Sequence, residues 1–161
     1  MIVGIDPGAK GGVALMTGCG CIAEAYPMPT NGKIVDIPAL MEICPNITFA
    51  AIEAVHAFPG QGVTSMFNFG KAYGMLLGWL ECVQAKYIGV DPRKWKNTIL
   101  SGTDKDKYAA IEFVKREYPM VDLTPGRKQT PHDGMADAVC IAKYAWITWK
   151  ELINTSEDDR V

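Results

Sequence analysis

No apolar run in the 161-residue sequence reaches the roughly 18 residues that a membrane-spanning helix needs. The start, Met1-Ile2-Val3-Gly4-Ile5-Asp6, lacks the basic residues that open a secretory signal peptide. Histidine occurs only twice, and no His/Cys cluster of zinc-site type is present. Cysteine occurs five times, an odd count that leaves at least one thiol unpaired. Cys19 and Cys21 stand too close to each other to look like a bridge, and Cys82 and Cys140 fall in apolar helical stretches. There is no internal repeat, no linker and no Gly-x4-Gly-Lys-Ser/Thr phosphate loop. These absences exclude membrane, disulfide-scaffold and P-loop classes. They leave a reduced, cytoplasmic protein without a membrane partner as the expectation.

What is present suits one globular domain spanning residues 1–161, with 154–161 expected as a frayed tail. Hydrophobic residues make up 48% and charged residues 21%, with mean hydropathy +0.04. A chain this size buries roughly 68–70% of its unfolded surface, enough for a core without covalent staples. The net charge is only −2, which at first argues against a polyanionic partner. Its distribution argues otherwise. Residues 91–128 hold nine basic and six acidic side chains, whereas both flanking segments are net negative.

The first quarter reads as strands and turns: Ile2–Ile5, Val13–Met16 and Ile22–Tyr26, separated by Asp6-Pro7-Gly8 with Gly11-Gly12, and by Thr17-Gly18. Lys33 to Cys44 places Ile34, Ile37, Leu40, Met41 and Cys44 at helical intervals, with Pro38 as a kink. Ile47–Ile52 is a near-continuous apolar strand ending on Glu53. A Gly/Pro-rich loop then leads to a long helix over about 64–84, and Tyr87–Val90 forms a fifth strand. Pro92 starts a helix through Trp95 and Ile99. Asp104 is placed to cap the next helix, whose apolar stripe is Tyr108, Ile111, Phe113, Val114 and Tyr118. A last helix opens at His132 or Asp133 and runs to about Leu152.

Four carboxylates stand where such a fold would converge them. Asp6 ends the first strand, Glu53 ends the fourth, and Asp133 and Asp137 share one face at the head of the last helix. Hard oxygen donors suit Mg²⁺ or Mn²⁺, and two such ions activate water and stabilise the leaving oxygen in phosphodiester cleavage. Singly, each acid has a plainer role as a turn former, an N-cap or a first-turn residue. Together with their flanking residues they point to a site.

Ile2-Val3-Gly4-Ile5-Asp6-Pro7-Gly8, then Ala51-Ile52-Glu53, then Met135-Ala136-Asp137-Ala138 at the head of the last helix resemble the RuvC-type Holliday junction resolvases. These belong to the RNase H-like superfamily, and the similarity spans nearly the whole chain in order. His132-Asp133-Gly134 and Asp91-Pro92-Arg93-Lys94-Trp95-Lys96 look most like the bacteriophage or viral branch. The resemblance implies an α/β RNase H-like fold. Its mixed five-stranded sheet has the first three strands antiparallel and the last two parallel, flanked by helices. It implies a hydrolase of DNA recombination and repair that cuts four-way junctions by paired nicks, with two Mg²⁺ per site and Mn²⁺ as a substitute. Asp6 would bridge the ions, Glu53 would ligate one of them, and Asp137 matches the family's last carboxylate. Cellular members usually place their third acid or histidine three residues before that one, and Gly134 stands there. Asp133, four before, is taken as the ligand, and His132, five before, as a candidate for proton transfer.

A symmetric homodimer is also implied. Gly70, Gly74 and Gly78 recur along one face of a helix, each costing roughly 1 kcal/mol relative to alanine. Close packing on the helix's own sheet and a partner helix both explain that stripe. Apolar residues nearly all round the helix favour the partner. For branched DNA, Lys71, Arg93, Lys94, Lys96, Lys105, Lys107, Arg127 and Lys128 are the candidate phosphate contacts. Phe58 resembles the aromatic with which resolvases unstack bases at the crossover, and loop packing explains it equally well. Trp95, Trp146 and Trp149 are expected to pack inward. Broader cutting of flaps, forks or hybrids, and a non-catalytic junction-binding module, are the competing readings. A nucleotide-binding protein of the actin type would need two such domains.

Overall fold

Strand period and glycine placement together bring the acidic residues to one edge of the sheet. The computed structural model describes residues 1–54, 56, 60, 62–106, 108–126 and 129–158. The strands are β1 (Ile2–Asp6), β2 (Gly12–Met16), β3 (Ile22–Pro27), β4 (Thr30–Asn31), β5 (Ile34–Val35), β6 (Phe49–Glu53) and β7 (Lys86–Val90). The helices are α1 (Ile37–Ile43), α2 (Val63–Cys82), α3 (Pro92–Ile99), α4 (Ala109–Glu117) and α5 (Asp133–Asp158). The main sheet has the order β3-β2-β1-β6-β7. β1 pairs antiparallel with β2 and parallel with β6, and β6 pairs parallel with β7. This is the mixed five-stranded arrangement expected from the sequence.

Alternation along the central strands divides the core in two. Val3, Ile5, Ala50 and Ile52 face one side, where Leu40 of α1 and Leu76, Trp79 and Leu80 of α2 cover them. Ile2, Phe49 and Ala51 face the other side, against Trp95 of α3, Val114 of α4 and the apolar length of α5. Asp6 and Glu53 continue the second set, so both strand ends turn their carboxylates toward α3 and α5. The pairing of Ile5 with Ile52 sets the two acids at neighbouring positions in the parallel register.

Several local expectations are corrected. The segment from Lys33 is not helical from its start: Ile34–Val35 pairs back on Thr30–Asn31 through Gly32, and α1 begins only at Ile37. Asp36 caps it by accepting from Ala39 N at 3.1 Å, so Pro38 sits in the first turn, where its missing N–H leaves no bond unmade, rather than kinking a longer helix. Asp106, not Asp104, caps α4, its Oδ1 accepting from Tyr108 N and Ala109 N at 2.9 Å each. Tyr108 precedes that helix and is exposed, so it leaves the predicted apolar stripe. α5 continues past Leu152 to Asp158. α2 is not buried all round: Ala72, Leu76, Trp79 and Leu80 face the sheet while Phe67, Gly70, Gly74 and Gly78 are exposed.

Where α5 crosses β1, helix and strand backbones meet with no side chain between them. A Cβ on Gly4 would lie 2.2 Å from both Ala138 O and Ala142 N, which are helix backbone and cannot rotate away. Gly4→Ala is therefore expected to lower stability by about 3 kcal/mol, read as a fall in the urea midpoint at unchanged m-value.

Candidate active site

Asp6 lines a cleft of about 640 Å³ whose walls also include Lys10 and Lys33, Ser65, Asn68 and Phe69 of α2, and Asp133, Gly134 and Asp137 of α5. Asp6, Glu53 and Asp137 are half-buried, and Asp133 is exposed at the rim. Glu53 approaches from β6, close enough for its charge to act on both Asp6 and Asp137. Three elements distant in sequence thus bring Glu53, Asp133 and Asp137 within electrostatic range of Asp6.

Burial and crowding both disfavour their ionised forms. Burial pushes the Asp6 carboxyl up to about 8, aided by the charges of Asp137, Glu53 and Asp133 and opposed by Lys96. Asp137 is pushed up to about 6, again first by burial, with Lys96 opposing and Glu53 and Asp133 adding to the rise. Glu53 is raised by burial and by Asp91, against a hydrogen bond from Trp95 and the charge of Lys96.

Two of these partners have roles that the sequence pattern does not show. Lys96 reads as one of the surface phosphate contacts, yet it is half-buried, stands over the Trp95 ring at 5.2 Å and acts on three of the four acids. Trp95 is fully buried as expected, but its indole N–H also donates to Glu53 Oε2 at 2.7 Å. Adjacent helix positions point in different directions, so neither role is visible in the one-dimensional pattern. Lys10 and Lys33 escape sequence reasoning for a simpler reason: each is isolated in an acidic half of the chain.

Glycine at position 134, three residues before Asp137, has a steric cause. A Cβ there would lie 2.3 Å from Lys10 O and 2.7 Å from the Gly11 backbone, so no side chain fits. Asp133 sits one residue earlier, at the rim. His132 is the N-cap of α5: its Nδ1 accepts from Met135 N at 3.2 Å while its carbonyl accepts from Ala136 N.

Among the remaining candidates, Lys71, Arg93, Lys94 and Lys105 are exposed, and Lys105 Nζ donates to Asn97 Oδ1 at 2.7 Å. Lys71 adjoins Lys33 and Asn68 in a small side cavity of about 40 Å³. Phe58, Lys107, Arg127 and Lys128 lie outside the described residues. A Cβ added at Gly70, Gly74 or Gly78 would meet nothing within 4 Å, so close packing on their own sheet does not explain these glycines.

The donor set fits a hard divalent cation in chemistry: oxygen ligands only, with burial first and neighbouring carboxylate charge after it raising the pKa of Asp6 and Asp137. As placed, no three His, Cys, Asp or Glu side chains among the described residues stand close enough to hold one ion. Ligation would need these carboxylates to draw together.

The fold is that of RuvC-type resolvases. The chain resembles T. thermophilus RuvC solved with a Holliday junction substrate (14% identity, TM-score 0.60, covering 92% of this chain and 95% of that one). It resembles the yeast mitochondrial Holliday junction resolvase (13%, TM-score 0.61, 96% and 80%). It also resembles the fowlpox virus resolvase solved with junction DNA (12%, TM-score 0.53, 94% and 99%). Bacterial, mitochondrial and viral structures all match, so the viral branch expected from the sequence is not favoured. No protein-family profile and no curated protein sequence matches.

A carboxyl whose pKa is raised on folding binds protons more tightly in the native state, so stability falls as pH rises from about 4 to about 8. At pH 8 without divalent cation, Asp6→Asn is expected to stabilise the fold by on the order of 2 kcal/mol, roughly 4–8 °C in Tm. Added Mg²⁺ is expected to raise the Tm of the wild type and not that of the variant. Trp95→Phe keeps the buried ring and removes the N–H bond to Glu53. It is expected to weaken the affinity for divalent cation about tenfold, measured as the Mg²⁺ concentration at half of the maximal rise in Tm.

Proposed function

We propose that this protein is a metal-dependent endonuclease that resolves four-way DNA junctions by symmetric paired nicks. The observation that carries the reading is the convergence of Asp6, Glu53, Asp133 and Asp137 beside a cleft, on a fold shared with resolvases, two of them solved with junction DNA. These four residues would hold two Mg²⁺, or Mn²⁺, which supply an activated water and stabilise the leaving oxygen.

The chain's own groups prepare that chemistry. Trp95 fixes one oxygen of Glu53, so its carboxylate is oriented before substrate arrives. Lys96 favours the ionised form of Asp6, Glu53 and Asp137, the form able to ligate. Its ammonium also supplies positive charge beside the acids for a phosphate oxygen. Lys10 and Lys33 on the cleft wall would hold neighbouring phosphates, with Lys71, Arg93, Lys94 and Lys105 further along the surface. His132 already uses Nδ1 to cap α5, so a proton-transfer role would fall to Nε2.

Paired nicks require two active sites. A second copy of the chain would pack on the exposed face of α2, where Gly70, Gly74 and Gly78 allow close backbone approach beside Phe67. The whole chain would act as one nuclease domain within such a dimer, in DNA recombination and repair.

The test is incubation with a labelled four-way junction, a flap and a linear duplex in Mg²⁺ or Mn²⁺. Symmetric nicks on the junction are expected, and Asp6→Asn is expected to slow them at least ~100-fold while junction binding persists. Equal cutting of flap and junction would replace the proposal with a broader structure-selective nuclease. Binding without cleavage in either metal would leave only a junction-binding module.

A further inference from the structure

The β2–β3 turn, at the far end of β2 from Gly12, carries a pair of thiols that the proposed active site does not use. Thr17 N donates to Cys21 O at 2.9 Å and Gly20 N to Thr17 O at 3.0 Å, closing a tight turn. Gly20 adopts φ +88°, and a Cβ there would meet the Trp146 ring at 3.0 Å. Trp146 Nε1 donates to Gly18 O at 2.9 Å, so the turn is clamped onto α5. Sequence spacing alone argues against a bridge between Cys19 and Cys21, but the turn folds these exposed residues back until their Sγ atoms stand 3.2 Å apart. Thr17 Oγ1 lies 2.9 Å from Cys19 Sγ and also donates to Cys21 O at 3.1 Å. Around the pair stand the Lys143 ammonium, which acts on Cys21 and sits over the Trp146 ring at 4.2 Å, and the Tyr118 phenol.

We propose that Cys19 and Cys21 form a redox-active dithiol, oxidised to an intramolecular disulfide by low-molecular-weight disulfides, with Cys19 as the attacking thiol. In the first step the Cys19 thiolate attacks one sulfur of the small disulfide. That S–S bond breaks, and one thiolate leaves and takes up a proton from water. In the second step Cys21 loses its proton and attacks Cys19 Sγ, expelling the second thiolate, which is protonated in turn. Two electrons pass from the protein dithiol to the small disulfide, which ends as two thiols.

The hydrogen-bond pattern explains the order of attack. Contacts with Thr17 and then Cys21 bring the Cys19 thiol down to about 7, while sharing that contact raises Cys21. At pH 7 a thiol of pKa about 7 is ionised roughly fifteenfold more than one at the ordinary value of about 8.5. Its lower intrinsic nucleophilicity offsets about fivefold of this, leaving roughly a threefold faster attack. Cys44 and Cys140 are buried and held well above the ordinary thiol range, whereas Cys82 is exposed and serves as the internal comparison.

The reduced full-length protein is incubated with glutathione disulfide at pH 7, quenched by alkylation and mapped by mass spectrometry. Loss of two hydrogens in the peptide joining Cys19 to Cys21 is expected, about threefold faster than glutathionylation of Cys82. Cys21→Ser is expected to stop at one glutathionyl group on Cys19, and Cys19→Ser to leave Cys21 no more reactive than Cys82. Equal adduct formation at Cys19, Cys21 and Cys82 without ring closure would overturn the proposal, as would persistence of both thiols.

Discussion

The contact between α5 and β1 organises the rest of the molecule. With glycine at position 4, the helix backbone settles directly on the strand, and Gly134 repeats the device against the Lys10–Gly11 turn. Two backbones that close leave little freedom in how the helix start meets the strand end. The first turns of α5 must therefore lie beside Asp6, and the parallel pairing of β1 with β6 carries Glu53 to the same place. Burial of the apolar length of α5 against β1, β2 and β6 supplies the free energy that holds this geometry.

That geometry is electrostatically unfavourable by itself. Partly desolvated carboxylates repel one another: the raised pKa values of Asp6 and Asp137 express first that desolvation and then that repulsion, and Glu53 is raised by burial and by Asp91. The fold answers it only in part, with Lys96 opposing all three and Trp95 bonding Glu53. Under the proposed function, the charge left uncompensated is what would give the cluster its affinity for a hard cation. It also accounts for a destabilised site on an otherwise well-packed core. The thiol turn at the other end of β2 is independent of this balance.

Much of the fold is legible in the chain because its signals are local. Apolar runs bounded by Gly and Pro mark the strands, and the paired acids at Asp133 and Asp137 mark a helix start. The three-strand meander and the two parallel strands follow from those signals together with the family resemblance. The less legible parts depend on contacts distant in sequence. Trp95 and Glu53 are separated by 42 positions, and nothing near either residue announces their bond. Lys96 looks like a member of a basic run until α3 is packed against the carboxylates. The open glycine face of α2 cannot be told from a buried one, because spacing alone does not say which side meets the sheet.

That these four carboxylates form a divalent-metal centre is the claim on which the functional reading stands. A crystal structure of the protein grown with Mn²⁺, with the ions located by anomalous scattering, addresses it directly. Manganese is expected about 2.1–2.2 Å from oxygens of Asp6, Glu53 and Asp137, with Asp133 drawn toward the site. Crystals in which Mn²⁺ leaves the cluster empty would contradict it.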